Sequence, residues 1–371
     1  MEPIIAPVSL DLIKAELTPN KKLRNTNKSH NEIYVINHHD SPNVMREIGR
    51  LREEAFRDSG GGSGLSMDID EFDTMDHPYQ QLIVWDPEAE KILGGYRYIL
   101  GTDIKLGEDG QPILATSHMF HFSEKFINEY LPYTIELGRS FVSPEYQSSK
   151  AGTKALFALD NLWDGLGALA IQSPNMKYFF GKMTMYPEYN RQARDLIQHF
   201  LFKHFEDKEH LVTPMDPLVI ETDKSYMDSI LKEDEFKDDY KCLNAEVRRL
   251  GENIPPLVNS YMSLSPTMKT FGGGINHEFS EAEETCILIA FDEIVDAKKA
   301  RHIDSYIEEK ISRMRVRFPL FVENMGEDLK MMITHKREQV QEKVSQSLKK
   351  RKAKRQVRRQ TRKSNKAAKK Q

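Results

Sequence analysis

The spacing of apolar positions changes period several times along the chain, and each change marks an element. Glu32–Asn37 (EIYVIN) is rich in β-branched and aromatic residues and reads as a first strand. Ser41 and Pro42 follow, an N-cap residue and a proline suited to a first helical turn. Val44, Ile48, Leu51 and Ala55 then fall on one helical face. That helix runs out in Asp58-Ser-Gly-Gly-Gly-Ser-Gly64, read as a flexible hinge; no Gly-Lys-Ser/Thr follows, so it is not a P-loop. An acidic loop over 67–76 leads into two strands, Gln81–Trp85 and Lys91–Leu100, joined by Asp86-Pro87-Glu88. Tyr133–Val142 reads as a long central strand, Ala151–Ile171 as a mostly apolar helix, Tyr178–Met185 as a buried strand and Asn190–Phe205 as an amphipathic helix.

The flanks are less regular. Residues 1–31 are polar, with one short helix expected around Leu10–Leu17. Residues 101–132 mix polar and aromatic side chains, 206–250 are charged and partly helical, and 251–280 read as loop, with Pro255-Pro256 and Gly272-Gly273-Gly274. Cys286–Phe291 is a final buried strand, and a helical pattern starts near Gly326. The order is α/β or α+β with a mixed sheet. It lacks the strand–helix alternation and the GxGxxG of a dinucleotide-binding fold, and there is no internal repeat.

Charge changes this picture. The net −4 over 371 residues hides two opposed parts. Residues 336–371 hold 16 Lys/Arg against two Glu, a balance of +14, while the other 335 residues hold 37 Lys/Arg against 55 Asp/Glu, −18. Such asymmetry points to a polyanion: anionic lipid, an acidic protein or nucleic acid. Two distant cysteines, Cys242 and Cys286, exclude a disulfide scaffold and suit a reducing cytosol. No apolar run reaches the ~20 residues of a membrane span, and MEPIIAPVSLDLIKAEL lacks the basic start of a secretory leader.

Three groups of residues carry candidate chemistry. In Thr134-Ile-Glu136-Leu-Gly-Arg139-Ser-Phe-Val142, side chains alternate faces, so Glu136 lies opposite Arg139 unless a bulge near Gly138 intervenes. A Glu and an Arg inside a buried strand are either an ion pair or functional. Tyr146-Gln147-Ser-Ser-Lys150-Ala-Gly152-Thr153-Lys154 lies between that strand and a helix, where free N–H groups and lysines bind phosphate; a plain capped loop is the alternative. Arg52, Phe56, Asp70, Asp73, Asp76 and Arg97 form a set able to hold an ammonium group, or simply a solvated acidic loop. Asp68, Asp70 and Asp76 do not fit EF-hand spacing, and His118-xx-His121 lacks the Glu of a zincin, so no metal is expected. Tyr186 and Tyr189 follow a strand, placed to pack or to donate a proton.

Taken together, Leu51-Arg52-xxx-Phe56, Asp70-xx-Asp73, Gly94-Gly-Tyr-Arg97 and Glu136-Leu-Gly-Arg139-Ser-Phe-Val resemble the pattern of acyl-homoserine-lactone synthases, which belong to the GNAT superfamily. The Glu16-Leu-Thr-Pro stretch, Ile254-Pro-Pro-Leu257-xxx-Tyr261 and the Phe279…Ile287-Leu-Ile strand bring the chain closer to a sister group, the hemolysin-like N-acyltransferases that acylate ornithine or glycine. The resemblance covers roughly residues 10–300. It implies a GNAT-like fold with a central mixed, mostly antiparallel sheet flanked by helices, plus a helical insert and a C-terminal helical or disordered basic tail. The division it implies is an N-terminal extension (1–30), the acyltransferase domain (31–300, with 187–280 an insert or lid), a helical segment (301–335) and the tail (336–371).

The resemblance also implies an activity: transfer of a (3-hydroxy)fatty acyl group from acyl carrier protein to an amino acid's α-amine, glycine before ornithine, opening the synthesis of an amino-acid lipid. Glu136 would be general base, Arg139 would orient it or meet the substrate carboxylate, and Tyr186 would protonate the leaving thiolate. Arg52, Phe56, Asp70, Asp73 and Arg97 would shape the amine site. Phe141, Val142, Gln147, Lys150, Gly152 and Thr153 would hold the acyl-phosphopantetheine, although Lys150 stands where the family has its first loop glycine. No permanent cofactor is implied; the acyl-phosphopantetheine of the carrier, or acyl-CoA, enters as donor. The expected location is cytoplasmic, with 336–371 touching anionic lipid at the inner membrane face and nucleic acid not expected. Two other readings stay open: a signal synthase of the homoserine-lactone type, and a nucleic-acid- or ribosome-binding protein acting through its tail.

Overall fold

The structure, a computed structural model, describes residues 1–147, 153–233 and 235–317, with side chains at 153–156 and 313–317 excepted. The chain divides into two units, Met1–Tyr306 and Ile307–Gln371. The lysine at 150, the glycine at 152 and the expected helix from Gly326 lie outside the described residues.

The first unit is built on one sheet. Its strands are β1 (Lys22–Asn25), β2 (Glu32–Ile36), β3 (Gln80–Asp86), β4 (Lys91–Leu100), β6 (Thr134–Val142), β7 (Tyr178–Met185), β10 (Ala282–Ala290) and β9 (Lys269–Asn276), in the order β1-β2-β3-β4-β6-β7-β10-β9. A two-stranded ribbon, β5 (Phe120–Phe122) with β8 (Val212–Pro214), pairs separately and packs on it. Every pairing in the large sheet is antiparallel except β6 with β7. The helices are α1 (Leu10–Glu16), α2 (Pro42–Asp58), α3 (Glu71–Thr74), α4 (Thr153–Gln172), α5 (Arg191–Phe205), α6 (Lys224–Ile230), α7 (Phe236–Arg249), α8 (Pro256–Met262), α9 (Asp296–Lys299) and α10 (Ser305–Arg317).

The alternation of side chains along the strands divides the core between two faces. On one face Leu137, Phe179, Met183, Ile287 and Ile289 pack against Leu162, Trp163 and Leu166 of α4 and Leu196, Ile197 and Phe200 of α5. On the other, Ile36, Ile83 and Phe141 pack under Val44, Ile48, Leu51 and Ala55 of α2. Phe180, Leu288 and Cys286 pack against Tyr79, Phe122 and Phe126 on that same side.

Several local expectations need correction. Ser41 makes no side-chain cap for α2. The carboxylate of Glu16 caps it instead, accepting the N–H groups of Asn43 (3.2 Å) and Val44 (2.8 Å). The stretch 251–280 is not loop throughout: it holds α8 and the edge strand β9, where Gly272 at φ +84° allows a bend. β1 was not anticipated either; it pairs with β2. The last strand starts at Ala282, ahead of the apolar run, because Glu283 and Glu284 are buried in ion pairs. The glycine-rich loop after α2 is anchored: Glu53 accepts from the N–H groups of Ser63 (2.9 Å) and Gly64 (2.8 Å). A Cβ on Gly61 would come within 2.3 Å of the Tyr186 ring, so that glycine permits a close approach.

Candidate active site

The central strand carries an irregularity at the point where charge interrupts its apolar pattern. On β4 the register steps from Gly95 to Arg97 while β6 steps from Phe141 to Gly138, so β6 bulges at Arg139 and Ser140. Arg139 accordingly sits at φ +46°. Beyond the bulge β6 stays with β4, whereas its parallel pairing with β7 ends at Leu137 opposite Gly181. The two strands diverge from there. Ser143 N–H donates to the Leu93 carbonyl (2.9 Å). Since ladder residues alternate in the side they bond to, the Val142 N–H and carbonyl turn away from β4 toward the gap. The carbonyl accepts the Gln147 side-chain amide at 2.7 Å.

A cavity of about 690 Å³ occupies this gap, within the ~300–1,000 Å³ of ligand sites. Leu159, Phe179, Ile287, Ile289, Leu257 and Tyr261 line an apolar half; Tyr79, Arg97, Glu136, Arg139, Lys182, Glu284 and Tyr186 line a charged half. The strand pleat explains the division. Leu137, Phe179 and Ile287 belong to the face under α4, while Glu136, Phe180 and Lys182 point to the other. The gap therefore joins the two faces of the sheet.

Glu136 is 1% exposed. The Tyr79 hydroxyl donates to its carboxylate through a short hydrogen bond, and the Tyr79 hydroxyl oxygen accepts from the Ala115 N–H at 3.1 Å. Burial raises the Glu136 pKa above the ordinary carboxylate range; Tyr79, the neighbouring Thr116 hydroxyl and the charges of Arg97 and Lys182 only partly oppose it. Burial, with Glu284 nearby, pushes the Tyr186 phenol up to about 12, so it stays protonated at neutral pH. Lys182 pairs with Glu284 at 2.5 Å, and Glu284 also accepts from Asn276 (2.9 Å) and Thr184 (3.2 Å).

The residues expected at the amine site divide into two groups. Phe56 and Arg97 line the cavity. Arg52, Asp70 and Asp73 do not line it; they form a network behind the wall. Arg52 is fully buried, donating to Asp73 (3.0 Å) and Gln81, and Asp73 also accepts from Arg97 (3.3 Å). Asp70 receives both Arg97 contacts at 2.7 Å and forms a capping box with Asp73 at the start of α3. Asp76 is not part of this network.

Arg139 was expected to orient Glu136 or to meet the substrate. Its guanidinium pairs with Asp68 (2.9 Å) and Asp70 (3.5 Å), lies over the Phe279 ring and lines the cavity; the side chain hydrogen-bonded to Glu136 is Tyr79. Phe141, Val142 and Gln147 line the gap. Thr153 opens α4, and its side chain lies outside the described residues. Sequence reasoning missed Tyr79, Lys182 and Glu284. A lysine in Tyr178-Phe-Phe-Gly-Lys-Met and a glutamate beside Cys-Ile-Leu-Ile carry the same signal that singled out Glu136, a charge in a buried strand.

A sheet whose two parallel central strands splay around a cavity, with a bulged strand presenting its backbone to the gap, is that of a GNAT acyltransferase, and the family described as acetyltransferase (GNAT) domain matches residues 51–156. Relatives extend the match over most of the chain. A glycine N(alpha)-acyltransferase of Bacteroides thetaiotaomicron is 68% identical over 308 residues, covering 83% of this chain and 91% of its own. One of Phocaeicola vulgatus is 64% identical over 316 residues, covering 85% and 97%. The chain belongs to this glycine N(alpha)-acyltransferase family and is an acyltransferase. Among solved structures, FeeM, an N-acyl amino acid synthase from uncultured soil microbes, aligns at 10% identity and a TM-score of 0.34 over 74% of this chain and 96% of its own.

Proposed function

We propose that the enzyme moves a (3-hydroxy)fatty acyl group from the phosphopantetheine thioester of acyl carrier protein to the α-amine of glycine, opening the synthesis of an amino-acid lipid. One observation carries this reading: a single cavity joins an apolar half, suited to an acyl chain, to a charged half holding a buried carboxylate with a raised pKa. The relatives' name supports glycine as acceptor, with ornithine the next choice.

An α-amine is mostly protonated at neutral pH and must lose a proton before it attacks a thioester. Glu136 takes it, directly or through a water. Desolvation makes this carboxylate a stronger base than an exposed one, and base assistance contributes ~10²–10⁴-fold. The amine nitrogen then bonds to the thioester carbon while the carbonyl oxygen takes up negative charge. The Val142 N–H, turned toward the gap, would donate to that oxygen. As the C–S bond breaks, Tyr186 supplies the proton that the departing thiolate accepts, and the second proton lost by the acylated nitrogen restores the phenol. The segment 147–153 would hold the pantetheine phosphate, and residues 336–371 would bring the enzyme to anionic lipid, each Lys/Arg near the surface adding ~1 kcal/mol. No helix among the described residues is long and apolar enough to cross a membrane.

The test is to express the wild type and Glu136→Gln in a host lacking amino-acid-linked lipids and compare lipid extracts by mass spectrometry. An N-acylglycine in the wild type alone, with the variant's melting temperature unchanged, is the expected result. The same lipid at near-wild-type level in Glu136→Gln overturns the base assignment. An acylated amine other than glycine overturns the choice of acceptor.

A further inference from the structure

The charged half of the cavity holds three cations, and they differ in how many carboxylates hold them: two each for Arg97 and Arg139, one for Lys182. Arg97 is committed to Asp70 and Asp73 and packed over the Tyr79 ring. Arg139 is held by Asp68, Asp70 and the Phe279 ring. Lys182 is different. Its ammonium has three N–H donors, and among the described residues it contacts one strong acceptor, the Glu284 carboxylate at 2.5 Å. The Met119 sulfur at 3.6 Å is its other neighbour, a weak acceptor. The side chain is 13% exposed and lines the cavity. A cavity-lining ammonium with these two neighbours keeps one N–H for something else.

Its position says what that something is. Glu136 stands opposite Phe180 in the β6–β7 register, so Lys182, two residues on, projects from the same face of the sheet. Strand spacing and rise put the two Cα atoms roughly 8 Å apart. A negative and a positive group thus line one compartment from the same face of the sheet, close enough for the Lys182 charge to act on Glu136. An amine against Glu136 leaves a carboxylate on the adjacent carbon facing Lys182. Glu284 keeps its charge, so the pair is neutral overall and the pull on a carboxylate is directional, through the remaining Lys182 N–H, with Glu284 held in place by Asn276 and Thr184.

We infer that Lys182 is the specificity residue that recognises the α-carboxylate of the acceptor amino acid. This rests on the proposed acyl transfer to an amino acid and deepens it. It gives a physical reason for a glycine-like acceptor over plain amines, which lack the carboxylate, and over ornithine, whose second ammonium would meet a like charge.

The experiment is a kinetic comparison of glycine with glycinamide, using the full chain and the acyl thioester that the wild type accepts. An amide keeps the nucleophile and removes the negative charge. Lys182→Met should raise KM for glycine about 10- to 100-fold, the range of one lost charge-assisted hydrogen bond, and change KM for glycinamide by less than about threefold. Lys182→Arg should keep most of the preference for glycine. Because Lys182→Met strands Glu284, the double variant Lys182→Met/Glu284→Gln is run beside it and should show the same loss of acid-over-amide preference. Equal losses on both acceptors, an unchanged KM for glycine, or recovery in the double variant would each overturn the assignment. If the wild type acylates another amino acid, the function reading loses glycine, and the acid–amide comparison on that amino acid decides Lys182 separately. An acceptor with no carboxylate overturns it outright.

Discussion

Replacing Asp73 by Asn removes one negative charge from between two buried guanidiniums. Asp73 is 1% exposed and accepts from Arg52 at 3.0 Å, Arg97 at 3.3 Å and Gln81 at 2.9 Å. After the substitution Arg97 keeps both of its 2.7 Å contacts to Asp70. Arg52 has no such reserve; it is fully buried and retains only the Gln81 oxygen as a hydrogen-bond partner. The charge stranded is therefore that of Arg52. Breaking a buried pair by removing one partner costs about 3–5 kcal/mol. Asn keeps one acceptor, so the lower end applies, about 3 kcal/mol. At about 2 °C per kcal/mol for a unit of this size, the melting temperature should fall by about 6 °C. Adding Arg52→Met removes the stranded charge, and the double variant should recover about 1–2 kcal/mol relative to the sum of the single changes. Differential scanning fluorimetry and urea titration measure both quantities, with steady-state kinetics at low temperature alongside. A melting temperature within 2 °C of wild type, together with a large rise in acceptor KM, would refute the reasoning: Asp73 would then be touching substrate and not bracing the wall behind it.

Two further predictions concern pH. Tyr79→Phe removes a donor that favours the charged form of Glu136, so the Glu136 pKa rises further and the acid limb of kcat/KM, already above the ordinary carboxylate range, moves to higher pH; an unmoved limb would separate Glu136 from the rate. Asp70 is held at about 2: burial works to raise it, and the charges of Arg97 and Arg139 outweigh that. Its folded pKa lies below its unfolded value, so it contributes about 2 kcal/mol above pH 4 that is lost as pH falls toward 2. Urea unfolding at pH 5 and pH 2.5 should show a smaller acid loss in Asp70→Asn than in wild type, and equal losses would rule out this linkage.

The helical face of α2, the strands β3, β4, β6 and β7 and the helices α4 and α5 were legible because their apolar spacing matches their period. Glu136 and Arg139 stood out for the opposite reason, as charges inside an apolar strand. Where burial was achieved by ion pairing, the signal failed. Glu283 and Glu284 open β10 because Arg191, Arg194 and Lys182 neutralise them, and a charged sequence then reads as loop. β1 and β9 are edge strands at the two ends of the sheet, short or glycine-rich, and local propensity for them is weak.

The sequence by itself determined which residues are chemically unusual and, through its motif spacing, the acyltransferase fold they belong to. Tertiary structure decided their partners. Arg52, Asp73 and Arg97 are drawn from α2, α3 and β4, and only packing shows that two of them stand behind the wall and one forms it. The bulge at Arg139 turns its guanidinium to Asp68 and leaves Glu136 to Tyr79, 57 residues earlier in the chain. The cavity exists because β6 and β7 part after Leu137 and Gly181. Such outcomes depend on charge pairing and backbone register across distant segments, and pairing energies in a buried site are set by geometry that no local pattern contains.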